Sequence, residues 1–301
     1  MIPWLRGVIP PLVTPFDAEG RIQEELLRRE IEFQLSCGVP AICVGGSTGE
    51  GAGLTREEVK QLNRLAVDQV RGRAPVIAGV IPDHTDEAVS LGLAAKEEGA
   101  VLLQVTPTHY VSQMGEAELV SYYSRIRERT GMEIILYNVL PWAQVTPDIV
   151  GELIKAKAIV AVKQSGYNMH NLADLLYRYG NMIPILSAVD DLLYPSFMLG
   201  SPGTISAIGS VLPKQCIELL EAVQAGNHAR ALELHHQLLV IWRAVDDNRT
   251  FIARVKYAIA LQGRTPGLPR HPFPPAGEKE REIVRRAFEE ADIPVPAAQR
   301  A

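Results

Sequence analysis

Ile159-Val160-Ala161-Val162-Lys163-Gln164 is the stretch on which the fold turns: four apolar residues in a row, followed at once by a lysine. A strand with one face in water alternates apolar and polar residues. An unbroken apolar run is how a strand buried on both faces of a parallel sheet reads. Five runs of the same kind lie upstream, at residues 7–15 (GVIPPLVTP), 41–45 (AICVG), 75–80 (PVIAGV), 101–107 (VLLQVTP) and 133–138 (EIILYN). Two more lie downstream, at 184–188 (PILSA) and 203–208 (GTISAI).

The intervening segments carry helix signals. Thr55-Arg56-Glu57-Glu58 is a capping box, and Thr146-Pro147 places a cap before a proline at the first helical position. Leu62, Leu65, Ala66, Gln69 and Val70 form one face at helical spacing, and Leu172, Leu175, Leu176 and Tyr179 form another. Strand–helix alternation repeated eight times predicts an α/β fold, a (β/α)8 TIM barrel, because each right-handed crossover returns to the same sheet. The competing architecture is an open doubly wound sheet, which calls for a glycine-rich turn after the first strand. Here that strand runs into Thr14-Pro15-Phe16-Asp17.

The barrel core is expected over residues 1–212, through the eighth strand. Residues 213–301 are expected to supply the last barrel helix and a C-terminal helical extension rather than an independent domain. In that part Leu219, Val223, Leu232, Leu239 and Trp242 read as packing positions. A helix is expected over 251–261, a proline- and glycine-rich break over 263–275, and a last helix over 278–291.

Composition narrows the function classes. The chain has 301 residues, 47% hydrophobic and 22% charged, with a net charge of -5, which disfavours a nucleic-acid partner. No apolar run is long enough to span a bilayer, so no membrane role is expected. Cys37, Cys43 and Cys216 show neither paired nor metal-ligand spacing, and no secretory leader is evident, so a cytoplasmic protein is expected. The histidine pair His235-His236 is not at metal spacing, so no metal is expected.

In a barrel, chemistry gathers at the C-terminal ends of the strands. Lys163 stands there. It reads either as a lysine snorkelling or paired with a carboxylate, or as a desolvated amine able to attack a carbonyl; arginine cannot form the imine. The loop Gly45-Gly46-Ser47-Thr48-Gly49-Glu50-Gly51 reads as a turn, as a weak phosphate loop, or as a nest in which backbone N–H groups and two hydroxyls hold a carboxylate. Tyr137 reads as a strand-end aromatic or as a proton-transfer group.

Together these residues resemble the dihydrodipicolinate synthase and N-acetylneuraminate lyase family of class I aldolases, over most of the chain to about residue 290. Gly46-Ser47-Thr48-Gly49-Glu50 is similar to the family's pyruvate-carboxylate motif, Tyr137-Asn138-Val139 to its catalytic tyrosine segment and Val162-Lys163-Gln164 to its Schiff-base lysine segment. Gly203-Thr204-Ile205-Ser206 resembles its eighth-strand motif, whose backbone carbonyl contacts the reacting centre. The resemblance implies a lyase in which Lys163 forms an imine with a 2-oxo acid, pyruvate or longer. Tyr137 and Thr48 would relay protons, and Gly46, Ser47 and Thr48 would hold the carboxylate. It implies that no metal or organic cofactor is needed, and a homo-oligomer, tetramer or dimer, with His109 or Tyr110 completing the relay across subunits.

Departures from the family bear on the substrate. The condensing enzymes carry an arginine five residues beyond the tyrosine; here that position is Trp142, which cannot supply the bidentate contact. Gln164 replaces a common glutamate, and Ser187-Ala188-Val189-Asp190 replaces a glycine-containing motif, placing Asp190 and Trp142 among the expected substrate contacts. These features favour aldol cleavage or dehydration of a 2-oxo-3-deoxy sugar acid. The alternatives are condensation of pyruvate with aspartate semialdehyde and a non-catalytic 2-oxo acid binder.

Overall fold

All eight apolar runs contain inner strands. In the computed structural model, which describes residues 2–108, 110, 112–166 and 168–296, they are β1 (Gly7–Val8), β2 (Ile42–Val44), β3 (Val76–Val80), β4 (Leu102–Val105), β5 (Ile134–Asn138), β6 (Ala161–Ser165), β7 (Ile185–Ala188) and β8 (Gly203–Thr204). All pairings are parallel, in the order β1-β8-β7-β6-β5-β4-β3-β2. The ring closes just past β1, where Cys43 N–H donates to the Pro10 carbonyl (3.1 Å) and Leu12 N–H to the Cys43 carbonyl (2.8 Å). No helix among the described residues is long and apolar enough to cross a membrane.

The unbroken runs have a simple cause. Ile9, Cys43, Ile77, Leu102, Ile135, Ala161, Leu186 and Ile205 share the cluster that fills the barrel interior. Their neighbours Ile42, Ala78, Leu103, Ile134, Leu136, Val162 and Ile185 belong to the cluster shared with the surrounding helices. Side chains two apart on a strand share a face. Ala161 therefore puts Lys163 inside the barrel one layer higher, and Ile135 does the same for Tyr137.

Both helix-start signals form as read. Thr55 Oγ1 accepts the Glu58 N–H while Glu58 takes the Thr55 N–H, and Thr146 caps the helix Pro147–Lys155. The outer strands of the ladder are shorter than the sequence suggests. Pro10 and Pro11 lack the N–H a ladder needs, which limits β1, and the chain leaves β8 for the helix Ala207–Val211.

The C-terminal part consists of the helices Pro213–Gln224, His228–Val245, Phe251–Ala260 and Glu278–Glu290. They enclose a second cluster that reaches back to Val8 and Val13. The stripe expected in this region needs correction: Leu232 is exposed, and the buried face of its helix is Ala231, Leu234, Leu238, Ile241, Trp242 and Val245.

Candidate active site

At the C-terminal end of the barrel a cavity of about 340 Å3 collects Ser47, Thr48, Tyr137, Lys163, Asp190 and Ile205. Register brings the first pair together: Tyr137 on β5 is the ladder partner of Lys163 on β6. Lys163 is only 3% exposed, so it does not snorkel, and among the described residues it has no ion pair. Its Nζ instead lies 3.8 Å from the centroid of the Tyr137 ring. A π-face favours an ammonium without fixing it in a salt bridge. Tyr137 O–H donates to Ser47 Oγ (3.1 Å), joining lysine, phenol and loop into one chain of contacts.

The loop after β2 is held in a defined turn. Ser47–Gly49 form a single tight helical turn, with Gly49 and Gly51 N–H both donating to the Gly46 carbonyl. Among the described residues the Ser47 and Thr48 N–H groups have no backbone acceptor, the usual condition at the start of such a turn. They are what an incoming carboxylate can use. Gly46 lies under the turn rather than on the cavity wall. Gly79 is required beneath it, because a Cβ there would stand 2.4 Å from the Gly46 nitrogen.

A buried clasp holds this loop from the far end of the sequence. Glu50 sits in the left-handed region (φ 57°), and its Oε1 receives Lys256 Nζ at 2.7 Å. Lys256 also donates to the carbonyls of Thr14 (2.8 Å) and Leu268 (2.5 Å), and Glu50 Oε2 accepts the Arg270 N–H (2.8 Å). Thr14 Oγ1 donates to the Gly49 carbonyl from below (2.7 Å). Burial holds the Lys256 ammonium below its ordinary pKa, with Glu50 opposing that effect.

Asp190 follows β7, buried in the cavity wall, with Oδ1 accepting the Ile208 N–H (2.8 Å). Burial pushes its carboxyl up to about 7, and the charges of Asp191 and Asp246 add to the effect against the pull of Lys163. An acid that is easier to protonate when folded than when unfolded favours the folded state at low pH. That advantage fades as pH climbs from about 4, the unfolded value, through 7. Asp190→Asn should therefore be more stable than the parent above pH 7, by on the order of 4 kcal/mol at most, and so melt higher there, with the difference vanishing below pH 4. Melting curves at pH 4 and 8 check this; an unchanged gap would rule it out.

Other residues fall elsewhere. Trp142 is 58% exposed, in a turn where Ala143 N–H donates to the Leu140 carbonyl, and does not line the cavity. Tyr110 is 77% exposed and also lies off it, and His109 lies outside the described residues. Gln164 points away from the cavity. It accepts from Asn138 Nδ2 (2.8 Å), and Asn138 in turn takes the Val145 N–H (2.9 Å). The glutamine thus ties β6 to β5 and the loop beyond, and does not contact substrate space.

Sequence reasoning missed the other side of the cavity. Trp242, Asp246, Asp247, Asn248 and Phe251 line it from the junction of two C-terminal helices. The one local signal was the polar break Asp246-Asp247-Asn248 between apolar helices, which says nothing about where the junction lies in space.

Comparison with known proteins assigns the chain to a family. The model of the Dihydrodipicolinate synthetase family matches residues 4–291. A 4-hydroxy-tetrahydrodipicolinate synthase of Geobacter metallireducens is 34% identical over 96% of this chain and 99% of its own length. One of Methanopyrus kandleri is also 34% identical, over 96% and 97%. Among solved structures, YagE of E. coli K12, a prophage protein of the dihydrodipicolinic acid synthase family in complex with pyruvate, superposes with a TM-score of 0.90 at 27% identity, covering 96% of this chain and 99% of YagE. With a family match across nearly its whole length, this chain belongs to the dihydrodipicolinate synthetase family and is a lyase of the class I aldolase group.

Proposed function

We propose that the chain acts on 2-oxo acids through an imine at Lys163. The observation that carries this is the buried Lys163 Nζ over the Tyr137 ring, with the phenol bonded to the Ser47 turn. Nζ adds to the 2-oxo carbon, and the carbinolamine loses water to give a protonated imine. That cation draws in the electron pair released when the bond between C3 and C4 breaks, or when a proton leaves C3, and an enamine results. Tyr137 carries protons to and from the carbinolamine oxygen and the departing group, with Thr48 and Ser47 hydroxyls at hand. The N–H groups of Ser47 and Thr48 receive the substrate carboxylate.

Cleavage or dehydration of a 2-oxo-3-deoxy sugar acid suits the cavity, because Lys163 is the only cation lining it among the described residues. The second reading, condensation of pyruvate with aspartate semialdehyde, is favoured by the curated relatives at 34% identity. It lacks an arginine for the second carboxylate. A homo-oligomer fits the exposed Tyr110, which lies off this cavity and is open to a neighbouring copy's site, with His109 as the alternative. Three free cysteines, two of them buried, suit a reducing cytoplasm.

Borohydride reduction in the presence of pyruvate, followed by intact-mass measurement and peptide mapping, tests the imine. One reduced pyruvate on Lys163 is expected. An adduct with longer 2-oxo acids alone would move the substrate to a dehydratase type, and no adduct with any would end the proposal.

A further inference from the structure

Asp190 has the setting of a proton carrier. Leu186 lies in the barrel interior, and Ala188 and Asp190 follow it on the cavity wall. Leu186 is the ladder partner of Lys163, so this side of the wall climbs directly past the amine. Asp190 Oδ1 is pinned by the Ile208 N–H (2.8 Å). Its Oδ2 has no partner among the described residues, and it is not one of the orphan atoms sealed from solvent. One oxygen is fixed and the other is open to the cavity.

The groups that act on this carboxyl come from several elements. Lys163 faces it from β6, Asp246 from the end of the helix His228–Val245, and Cys216 from the helix Pro213–Gln224. Asp191 is its chain neighbour and is paired with Arg243 (3.1 Å). Burial keeps the Cys216 thiol protonated. Burial and the two aspartates push the Asp190 carboxyl up to about 7, where acid and base forms coexist. Asp246 and Asp247, also on the wall, have partners of their own. A carboxyl that weakens the folded state above pH 7 stands where an asparagine would fit. That points to a use for its proton.

The course of the substrate leads to the same place. β2 and β6 are four strands apart on the ring of eight, so an acid held at the Ser47 turn and joined to Lys163 lies across the barrel mouth. Its atoms beyond C3 then run to the side of β6 and β7, which is the side of Asp190.

We propose that Asp190 is the proton-transfer group for the C4 hydroxyl in aldol cleavage, with Tyr137 left to serve the carbinolamine oxygen. This role rests on the 2-oxo acid reading. Asp190 Oδ2 takes the proton of the C4 hydroxyl, and the O–H pair becomes the second bond of the aldehyde carbonyl. The C3–C4 pair moves into the iminium and leaves the enamine on Lys163. Asp190 gives its proton up to water once the aldehyde has departed.

Asp190→Asn is the test, because its amide oxygen can still accept the Ile208 N–H and the variant is expected to be the more stable above pH 7. It should cleave 2-oxo-3-deoxy-4-hydroxy acids on the order of 10^2-fold more slowly than the parent, read as pyruvate release. It should still trap pyruvate with borohydride, and exchange the pyruvate methyl protons in D2O, at close to the parent rates. Neither process involves a C4 oxygen. In the parent, kcat/KM for cleavage should rise with pH through about 7, and the variant should lack that limb.

Unchanged cleavage in the variant, a limb that survives the substitution, or a parent that cleaves none of these acids would overturn the role. So would a variant that loses trapping and exchange along with cleavage. In each case trapping of pyruvate by the parent leaves the Lys163 imine standing. A parent that traps no 2-oxo acid would bring down both.

Discussion

Lys163→Ala should lose at least ~10^3-fold in turnover while keeping its fold, and Lys163→Arg should be equally inactive. The two variants separate two roles. Arginine preserves a positive charge near the Tyr137 ring but cannot form an imine, so a lysine that acted only as a fixed charge would be largely rescued by it. Stability should survive because Lys163 makes no ion pair among the described residues, and its burial is itself unfavourable. Far-UV circular dichroism and a melting curve establish the fold, and a pyruvate-release assay on the hydroxylated acids reads the chemistry. Native-like spectra with retained turnover in either variant would show that the imine is not used.

The second large effect is expected at the clasp. Lys256→Met removes one member of a buried pair and leaves Glu50 charged in a site with little water. Breaking such a pair costs about 3–5 kcal/mol, which in a chain of this size lowers the melting temperature by about 5–8 °C. Below that temperature the loss should surface as binding: Ser47 and Thr48 belong to the turn that Glu50 ends, so KM for the 2-oxo acid should rise by more than kcat falls. Lys256→Met combined with Glu50→Leu should recover part of the stability, since an apolar pair leaves no stranded charge. A single variant that melts like the parent would mean that the pair carries no net structural weight.

The barrel was legible because each inner strand is covered on both faces, and Ala161, Val162 and Lys163 show how far that carries: parity alone puts the lysine inside. The strand ends were less legible, since Pro10 and Pro11 look apolar yet withhold the N–H groups a ladder uses. Within the site, Lys163, Tyr137, Ser47, Thr48, Asp190 and Ile205 could be found because strand ends point at one place. Trp142 shows where counting fails. Position along a loop fixes no direction, and a tight turn at Leu140 carries that indole into solvent. Trp242 was hidden for the opposite reason. It lies on an apolar helical stripe, where a cavity wall and a core contact have the same pattern.

The partners of the clasp lie 206 residues apart in sequence. At ordinary rates of translation the ribosome needs on the order of 10–40 s to cover that stretch. Lys163 and Tyr137 have emerged well before the segment that steadies the turn near them. A nascent or prematurely terminated chain can thus hold Lys163 and Tyr137 without the clasp that steadies the Ser47–Gly49 turn. If the imine chemistry proposed above holds, a product truncated before Lys256 should be poorly equipped to capture 2-oxo acids from the pool around it.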